Sequence, residues 1–321
     1  MIVISEVPGQ LCNRIFLNAY AMALAEGSGQ KLVDLSLNEY RFLFPATRWK
    51  LPQQLHFAFR KFLRLLIKGL HLLPFTRPCF VRVGALVTAD HSVTHPEFIA
   101  GIKARRFTFI EGFPDPSKIV LLSTDPIRAK FTPDHNVLEM VRKHVSAART
   151  GVDVLIGLHI RRGDYVHFFG GKYNYSTSFY QQVMETMGSF FSGRRVAFLL
   201  CTNGPKEFAD NLPYKIISGP GMEQGALGDL HCLAECDYII GPPSSFSLWA
   251  AFYGRKPIVH LFEQRLPAGV ADFVIPDRTF ECADGKFSLE ERGRLQNLNN
   301  EFYGKHKRIK RLYDNIHIPI R

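Results

Sequence analysis

The chain has 321 residues, with 40 Lys and Arg against 29 Asp and Glu, so its formal net charge is +11. This length accommodates two domains, and 46% hydrophobic with 21% charged residues excludes a disordered chain. The positive excess favours anionic partners, such as phosphate groups or an acidic membrane surface.

The first half of the chain begins as strand, loop, helix and strand. The β-branched run at residues 1–7 predicts a strand that stops at Pro8-Gly9. The apolar spacing of residues 12–26 predicts a helix, and Gly27 and Gly29 mark its end. Further strands are expected at 31–35, 107–111 and 119–122, and a further helix at 136–149.

The second half alternates strands and helices more regularly. Strands are expected at 154–160, 196–201, 215–217, 238–240 and 257–262, and helices at 178–191, 205–212, 227–235 and 247–253. This alternation predicts two α/β domains with parallel sheets and crossover helices, divided near Gly151 into residues 1–150 and 151–321. Ligands in such folds bind beyond the carboxyl ends of the strands.

One loop of the second half carries two arginines. The stretch GLHIRRGDY, residues 157–165, ends a buried strand and places Arg161 and Arg162 where the chain emerges. Guanidinium groups bind phosphate oxygens in a bidentate manner, and Asp164 can orient one of them. Two alternatives stay open: a surface salt bridge to Asp164, and an exposed Arg-Gly-Asp adhesion tripeptide.

A second loop of this half is rich in serine. After the predicted strand at 238–240, the run GPPSSFS opens a helix with Ser244 or Ser245 as its cap. A helix N-terminus also seats phosphate, because its backbone N–H groups point outward. Ordinary capping explains one of the two serines and is the alternative interpretation.

The first predicted strand is followed by PGQLCNR, residues 8–14. Gly9 permits a close backbone approach, and Asn13 and Arg14 are expected to point into the ligand crevice. The alternative is that Asn13 only caps the following helix. The dinucleotide fingerprint GxGxxG is absent from this loop.

The run HFAFRKFLRLLIKGLHLLPF, residues 56–75, combines basic and apolar residues at helical spacing. Such a helix either lies on an anionic bilayer or covers the core with its basic face in solvent. The basic tail at 305–311 adds positive charge that would also favour contact with an anionic bilayer.

The six cysteines are dispersed, and the spacing of Cys232 and Cys236 places both on one helix face. Core packing is favoured for them over a redox or metal pair. The N-terminus lacks the features of a signal peptide, and no apolar run is long enough to span a membrane. A cytoplasmic protein, peripheral at most to the inner membrane, is therefore expected.

With these segments identified, the chain resembles the GDP-fucose-dependent fucosyltransferases, the group with α1,2-, α1,6- and protein O-fucosyltransferases. HIRRGDY is similar to their HxRRxD motif, and the segment from Asp229 to Trp249 is similar to the second motif of the α1,2 branch. PGQLCNR is similar to that branch's glycine-rich opening. Leu248 departs from the family pattern, which has a tryptophan there, as do Cys12 and Arg14 in the opening.

The resemblance implies a GT-B fold, in which two Rossmann-like domains face a central cleft, with the nucleotide held by the C-terminal domain. It implies GDP-fucose as donor, inversion at the anomeric carbon and no cofactor. By position, Arg161 would bind the β-phosphate as the catalytic cation, and Asn13 would lie near the acceptor. The resemblance assigns the remaining donor-binding roles to His159 and Asp229 at the guanine, Ser244 and Ser245 at phosphate oxygens, Arg162 and Asp164 in the loop, and Phe246.

The chemistry fits these residue types, because a fixed cation stabilises the charge that grows on a departing diphosphate. The sequence has no Asp-x-Asp, so a metal-dependent glycosyltransferase site is not expected. The catalytic base stays unassigned, with Glu6 and Asp164 as candidates.

The function expected from the sequence is α1,2 transfer of fucose to a galactoside in surface-polysaccharide assembly. Transfer with another linkage, such as α1,6, is the alternative. A basic membrane-surface or nucleic-acid-binding protein is the alternative from another class. The chain lacks nucleic-acid recognition motifs, so no nucleic-acid partner is expected.

Overall fold

The computed structural model describes residues 1–5, 9–48, 53–83, 91–112, 114, 116, 119–204, 212–221 and 226–280. The basic tail at 305–311, Glu6, Cys282 and nearly all of the helix predicted at 205–212 lie outside these residues. The chain forms two compact units. The first contains Met1–His135 and the returning segment Pro276–Glu281, and the second contains Asn136–Ile275.

The first unit is built on a four-stranded parallel sheet. Its order is β2-β1-β4-β3, with every neighbouring pair parallel. The strands are β1 (Ile2–Ile4), β2 (Leu32–Asp34), β3 (Phe80–Val83) and β4 (Thr108–Gly112). The helices are α1 (Leu11–Ser28), α2 (Gln53–His71), α3 (Pro96–Ala104) and α4 (Asp125–Lys130). The sequence reading identified β1, β2, β4, α1 and α2 and missed β3, α3 and α4.

Helix α1 forms because its apolar residues repeat at helical spacing and bury against the sheet. Ile15, Phe16 and Leu24 are fully buried. The helix ends at Gly29, whose φ of 68° gives the left-handed C-cap that glycine adopts readily.

The returning segment explains why the predicted strand at 119–122 is wrong. Val120 makes only an isolated antiparallel bridge to Thr279, and the Leu121 N–H donates to Arg278 O at 2.8 Å. Phe280 packs edge-on against Phe16 at 4.7 Å between ring centroids. Ile119 and Leu121 are buried, but this stretch pairs with a distant piece of chain and not with a strand of the sheet.

Helix α2 confirms the helix predicted within 56–75, but its basic residues do not share one solvated face. Arg60 is buried and donates to Leu35 O, and Arg64 Nε donates to Ser5 O at 3.2 Å. Lys61 and Lys68 are exposed. The interpretation of a core-covering helix with a solvated basic face is therefore wrong for the two arginines, because carbonyl oxygens at the strand ends accept hydrogen bonds from them.

The second unit is built on a five-stranded parallel sheet of order β7-β6-β5-β8-β9. The strands are β5 (Val154–Ile160), β6 (Val196–Thr202), β7 (Lys215–Ser218), β8 (Tyr238–Gly241) and β9 (Ile258–His260). The helices are α5 (His135–Arg149), α6 (Thr177–Phe190), α7 (Ala226–Ala234) and α8 (Ser245–Gly254). Each of these strands was predicted to within a few residues.

Helix α5 is attached to the second sheet. Lys215 Nζ donates to carbonyls of Ala147, Ala148 and Thr150, and Arg149 pairs with Asp237 at 2.8 Å. This attachment explains why the first unit ends earlier than the boundary expected near Gly151.

Four of the five cysteines that the structure describes confirm the core-packing interpretation, and Cys79 is partly buried. Cys12, Cys201, Cys232 and Cys236 are buried free thiols. Burial raises the pKa of Cys232 to about 12, so this group stays a neutral thiol at physiological pH.

Within the described ranges, no helix combines the length and the apolar character needed to cross a bilayer.

Candidate functional site

The two loops singled out in the second half leave neighbouring strands. Strand β5 pairs in parallel with β6 on one side and β8 on the other, and the order of the strands reverses between β5 and β8. In open α/β sheets this reversal is the switch point at which ligands bind. The arginine loop follows β5 and the serine loop follows β8, so both flank this point.

Tyr165 joins the two loops. The guanidinium carbon of Arg161 lies 4.8 Å from the centroid of the Tyr165 ring, and the Tyr165 hydroxyl donates to Pro243 O at 2.9 Å. Pro243 immediately precedes Ser244, the N-cap residue of α8. Arg161 is therefore held on an aromatic platform that is itself fixed to the opening of α8.

Arg162, in contrast, is turned into the protein. Its guanidinium donates to Asn174 Oδ1 at 3.3 Å, to Thr177 Oγ1 at 3.2 Å and to Tyr175 O. Its backbone N–H donates to Asn203 Oδ1 at 2.7 Å. These contacts tie the arginine loop to the start of α6 and the end of β6.

His159 lies under the serine loop. Its ring stacks on Phe246 at 5.1 Å between centroids, and its Nδ1 has no hydrogen-bond partner among the described residues. A Cβ on Gly241 would meet His159 O at 2.4 Å, so only glycine lets β8 pass this close to β5. Burial, with Arg161 and His260 nearby, holds the pKa of His159 well below its usual value. The imidazole is therefore neutral at physiological pH.

The opening turn of α8 is fixed from two sides. Ser244 is its cap, and the Ser244 Oγ accepts from the Phe246 N–H at 3.2 Å. Ser247 Oγ and His260 Nε2 lie 3.1 Å apart, which links this turn to the end of β9. Ser245 occupies the first helical position, where backbone N–H groups lack intrahelical acceptors. The sequence interpretation of Ser244 as a cap is confirmed.

Asp229 lies on α7 and is buried. Its Oδ1 accepts from the Gly221 N–H at 2.8 Å, so this carboxylate shapes the loop that follows β7. Its expected role at the guanine stays a prediction.

In the first unit, Asn13 and Arg14 behave differently. The Asn13 amide lies over Gly9, where an added Cβ would meet Nδ2 at 2.5 Å. Gln10 occupies the N-cap position, so Asn13 is not the cap of α1. Arg14 is buried, with its Nε donating to Gly9 O at 3.1 Å and its guanidinium 4.6 Å from the Tyr40 ring centroid. The expectation that Arg14 points into a crevice is wrong, because carbonyls of its own unit bind it.

Of the two candidates for the base, Glu6 lies outside the described residues. Asp164 lies in the short 3₁₀ turn Gly163–Val166, of which the structure describes the backbone at this position. Among the described residues, no group of three or more His, Cys, Asp or Glu side chains is arranged to hold a metal ion.

Sequence reasoning missed Tyr165, Asn203 and His260, which connect the site. In the structure, His260 ends β9, Asn203 directly follows β6 and Tyr165 lies in the loop after β5, so proximity to a strand end was the available signal. Their partners are distant in the chain, so the contacts themselves are visible only in the fold.

Buried histidines make the second unit sensitive to acid. Burial lowers the pKa of His231 and of His260 to about 4. The unfolded chain binds these protons near pH 6.5 and the folded unit does not, so stability falls as pH drops from about 6.5 to 4. Each site removes about 2 kcal/mol of stability at pH 5.

We expect His231→Phe to reduce this loss. His231 packs edge-on against Tyr253 at 4.5 Å, and its Nε2 has no hydrogen-bond partner among the described residues. Between pH 7 and pH 5, the unfolding free energy measured by urea denaturation should fall by about 2 kcal/mol less in the variant than in the wild type. An unchanged pH difference would exclude His231 as an acid-sensitive site.

The site's geometry can be compared with known proteins. Residues 100–272 match the model of glycosyl transferase family 11. Galactoside alpha-(1,2)-fucosyltransferase 1 of Bos taurus is 27% identical over 187 residues, which cover 53% of this chain and 48% of that protein. The Mus musculus protein of the same name is 25% identical over 188 residues, 54% of this chain and 46% of that protein. The chain thus spans about half the length of these relatives.

Two solved structures share the fold. Arabidopsis thaliana FUT1 in complex with GDP has a TM-score of 0.54 at 15% identity, covering 84% of this chain and 70% of that chain. The α-1,6-fucosyltransferase NodZ from Bradyrhizobium, soaked with GDP-fucose, has a TM-score of 0.51 at 17% identity, covering 81% and 94%. The expected GT-B-like α/β class with parallel sheets is confirmed.

Proposed function

Because the chain belongs to glycosyl transferase family 11, we propose that it transfers fucose from GDP-fucose to a galactoside hydroxyl, with inversion at the anomeric carbon. We further propose an α1,2 linkage, which the names of the relatives from cattle and mouse support. Assembly of a surface polysaccharide is the proposed setting.

The observation that carries this proposal is the contact between the two loops at the switch point. Arg161 and the opening turn of α8 are held together through the Tyr165 ring and its hydrogen bond to Pro243. A guanidinium that is linked through one side chain to the residue before a helix cap is an arrangement suited to a diphosphate, because the guanidinium and the helix N-terminus both supply N–H donors and positive potential.

In the proposed reaction the acceptor oxygen bonds to C1 from the face opposite the diphosphate while the C1–O bond to the β-phosphate breaks and GDP departs. The proton of the acceptor hydroxyl passes to a base, and the residue that supplies this base stays unassigned. Negative charge grows on the departing β-phosphate, and the fixed positive charge of Arg161 stabilises it without rearranging. Ser244 and Ser245 add hydroxyl and backbone donors to the phosphates. Arg162 acts as a positioning residue, because its guanidinium is committed to the start of α6.

The remaining assignments concern the two ends of the donor and the acceptor. His159, which is neutral and stacked on Phe246, is proposed to contact the guanine. Asp229 is proposed to accept from the guanine N–H edge while holding Gly221. Asp164 is proposed to shape the arginine loop, and Asn13 is proposed to lie near the acceptor hydroxyl.

The proposal is tested by nucleotide selectivity and by product analysis. GDP at 100 times its dissociation constant should stabilise the protein by about 2.7 kcal/mol, and GMP, ADP and UDP at equal concentration should stabilise it less. Incubation with GDP-fucose and a panel of β-galactosides should yield an α-fucoside linked to O2.

Two other results have defined meanings. An α1,6-linked product would support the proposed fucosyltransferase activity but contradict the proposed α1,2 linkage. The α1,6 linkage is the first alternative because NodZ, an α-1,6-fucosyltransferase, shares the fold. Stabilisation by oligonucleotides with no response to GDP would contradict the enzyme and favour the basic binding protein.

A further inference from the structure

Helix α2 presents its apolar side to solvent. Its inner side is fixed to the first unit, where Ile67 packs with Leu35 and the buried Arg60 donates to Leu35 O. Arg64 binds Ser5 O on the same inner side. The polar direction of this amphipathic helix therefore points into the protein, opposite to the usual arrangement of a surface helix.

The outer side is uniformly apolar. Phe62 and Leu65 are 57% and 60% exposed, and in the turn that follows α2, Leu72 and Phe75 are 77% and 78% exposed. The α2 apolar face comprises the exposed residues Leu55, Phe59, Phe62, Leu65, Leu66 and Leu70. They repeat at intervals of three and four residues, so they share one side of the helix. Contiguous exposed apolar surface of this kind marks an interaction site.

The charge of the helix indicates what covers this face. Helix α2 contains Arg60, Lys61, Arg64 and Lys68 and no acidic residue. Lys61 and Lys68 are exposed, and helical geometry places them along one margin of the apolar face. Pairing this face with a second copy would bring two cationic helices together, whereas an anionic lipid surface complements the charge.

We propose that the α2 apolar face docks this protein on an anionic lipid bilayer. The Phe and Leu side chains enter the boundary between headgroups and acyl chains, and Lys61 and Lys68 bind the lipid phosphates. Arg60 and Arg64 hold the helix to the protein while its outer face is in lipid.

The docking has a consequence for the acceptor, which rests on the proposed function. The inner side of α2 contacts Ser5 and Leu35, the residues that follow β1 and β2. That carboxyl edge is where an α/β sheet binds ligands. Docking would bring this edge to the bilayer, so the acceptor class is a glycan carried on a lipid.

The test is cosedimentation of the full chain with vesicles, which needs no transferase activity. Vesicles of equimolar phosphatidylglycerol and phosphatidylcholine are compared with pure phosphatidylcholine, at about 0.05 M and about 0.5 M NaCl. The protein should bind the anionic vesicles at least about tenfold better at low salt and lose most of that preference at high salt.

Two double variants separate the contributions. Phe62→Gln with Leu66→Gln should weaken binding to anionic vesicles at least about tenfold, because two exposed apolar side chains no longer enter the lipid. Lys61→Gln with Lys68→Gln should weaken it about tenfold or more at low salt only. The matched control, Leu122→Gln with Val270→Gln, removes exposed apolar side chains elsewhere and should bind as the wild type. Thermal melting checks that all three fold.

Equal binding to neutral and anionic vesicles would overturn the proposal, as would wild-type binding by the Phe62/Leu66 variant. Light scattering without vesicles tests the other occupant: a dimer that this variant dissociates would assign the face to a second copy instead. Failure of the GDP test with intact vesicle binding would refute the proposed function and leave the docking standing.

Discussion

Replacing Arg161 by alanine is expected to lower fucosyl transfer about 10²–10³-fold, the usual effect of removing one preorganised donor from a site of developing charge. The loss should fall on kcat more than on KM, because the charge of the leaving diphosphate is greatest in the transition state. Steady-state kinetics with GDP-fucose, together with thermal melting, measures this effect.

The sheet offers a matched control for this variant. Arg195 precedes β6 at the opposite, amino-terminal edge of the same sheet, and it pairs there with Asp153 at 2.8 Å on the surface. Arg195→Ala removes the same positive charge from the same unit. It should leave kcat within about twofold, because Arg195 lies at the opposite edge of the sheet and an exposed ion pair contributes little to stability. Equal losses in both variants would show that net charge, not a specific phosphate contact, is responsible.

Arg161→Lys distinguishes charge from geometry. Lysine keeps the positive charge but lacks the planar fork that binds two phosphate oxygens and stacks on the Tyr165 ring. We expect an activity between those of the wild type and the alanine variant. Turnover of Arg161→Ala near that of the wild type would refute the assignment of this residue to the leaving group.

The sequence predicted the second unit more completely than the first. Strands β5 and β6 are buried along their whole length and β8 along all but its first residue, so the apolar runs of these three strands were unambiguous. In the first unit, β3 and α3 are short and lie in a region where apolar residues do not mark a single face. The returning segment Pro276–Glu281 has no local signal, because its packing on the first unit depends on distant residues.

The candidate site shows the same division. The residue types at the ends of β5 and β8 identified Arg161 and the capping serine, because strand ends and helix starts have local sequence signals. The inward direction of Arg162 and Arg14 was not predictable, since Tyr175 O, Ser36 O and Leu37 O, which accept from them, lie far away in the sequence. Tyr165 was visible in the motif, but its link to Pro243 spans most of the second unit.

The buried charges at the end of β2 support the second large prediction. Asp34 and Arg41 pair at 2.8 Å with side chains that are each 5% exposed. Asp34 Oδ1 also accepts from the Ser36 N–H at 2.7 Å, and Lys130 Nζ donates to Asn18 Oδ1 at 3.0 Å. Burial lowers the pKa of Arg41 and of Lys130, and the Asp34 carboxylate partly opposes both effects. One carboxylate thus compensates the buried Arg41 and the partly buried Lys130.

Asp34→Asn is therefore expected to destabilise the first unit by about 3–5 kcal/mol, because it leaves the Arg41 guanidinium buried beside a neutral amide. Hydrogen exchange measured by mass spectrometry should show about 10²–10⁴-fold faster exchange in peptides from β1 and β2, with β5 unchanged. The double variant Asp34→Leu with Arg41→Met, which removes the pair as a whole, should recover much of the loss, since apolar replacement of a buried pair is often neutral. If the single and double variants lose the same stability, the carboxylate acts through its hydrogen bonds to Ser36 and not through the charge of Arg41.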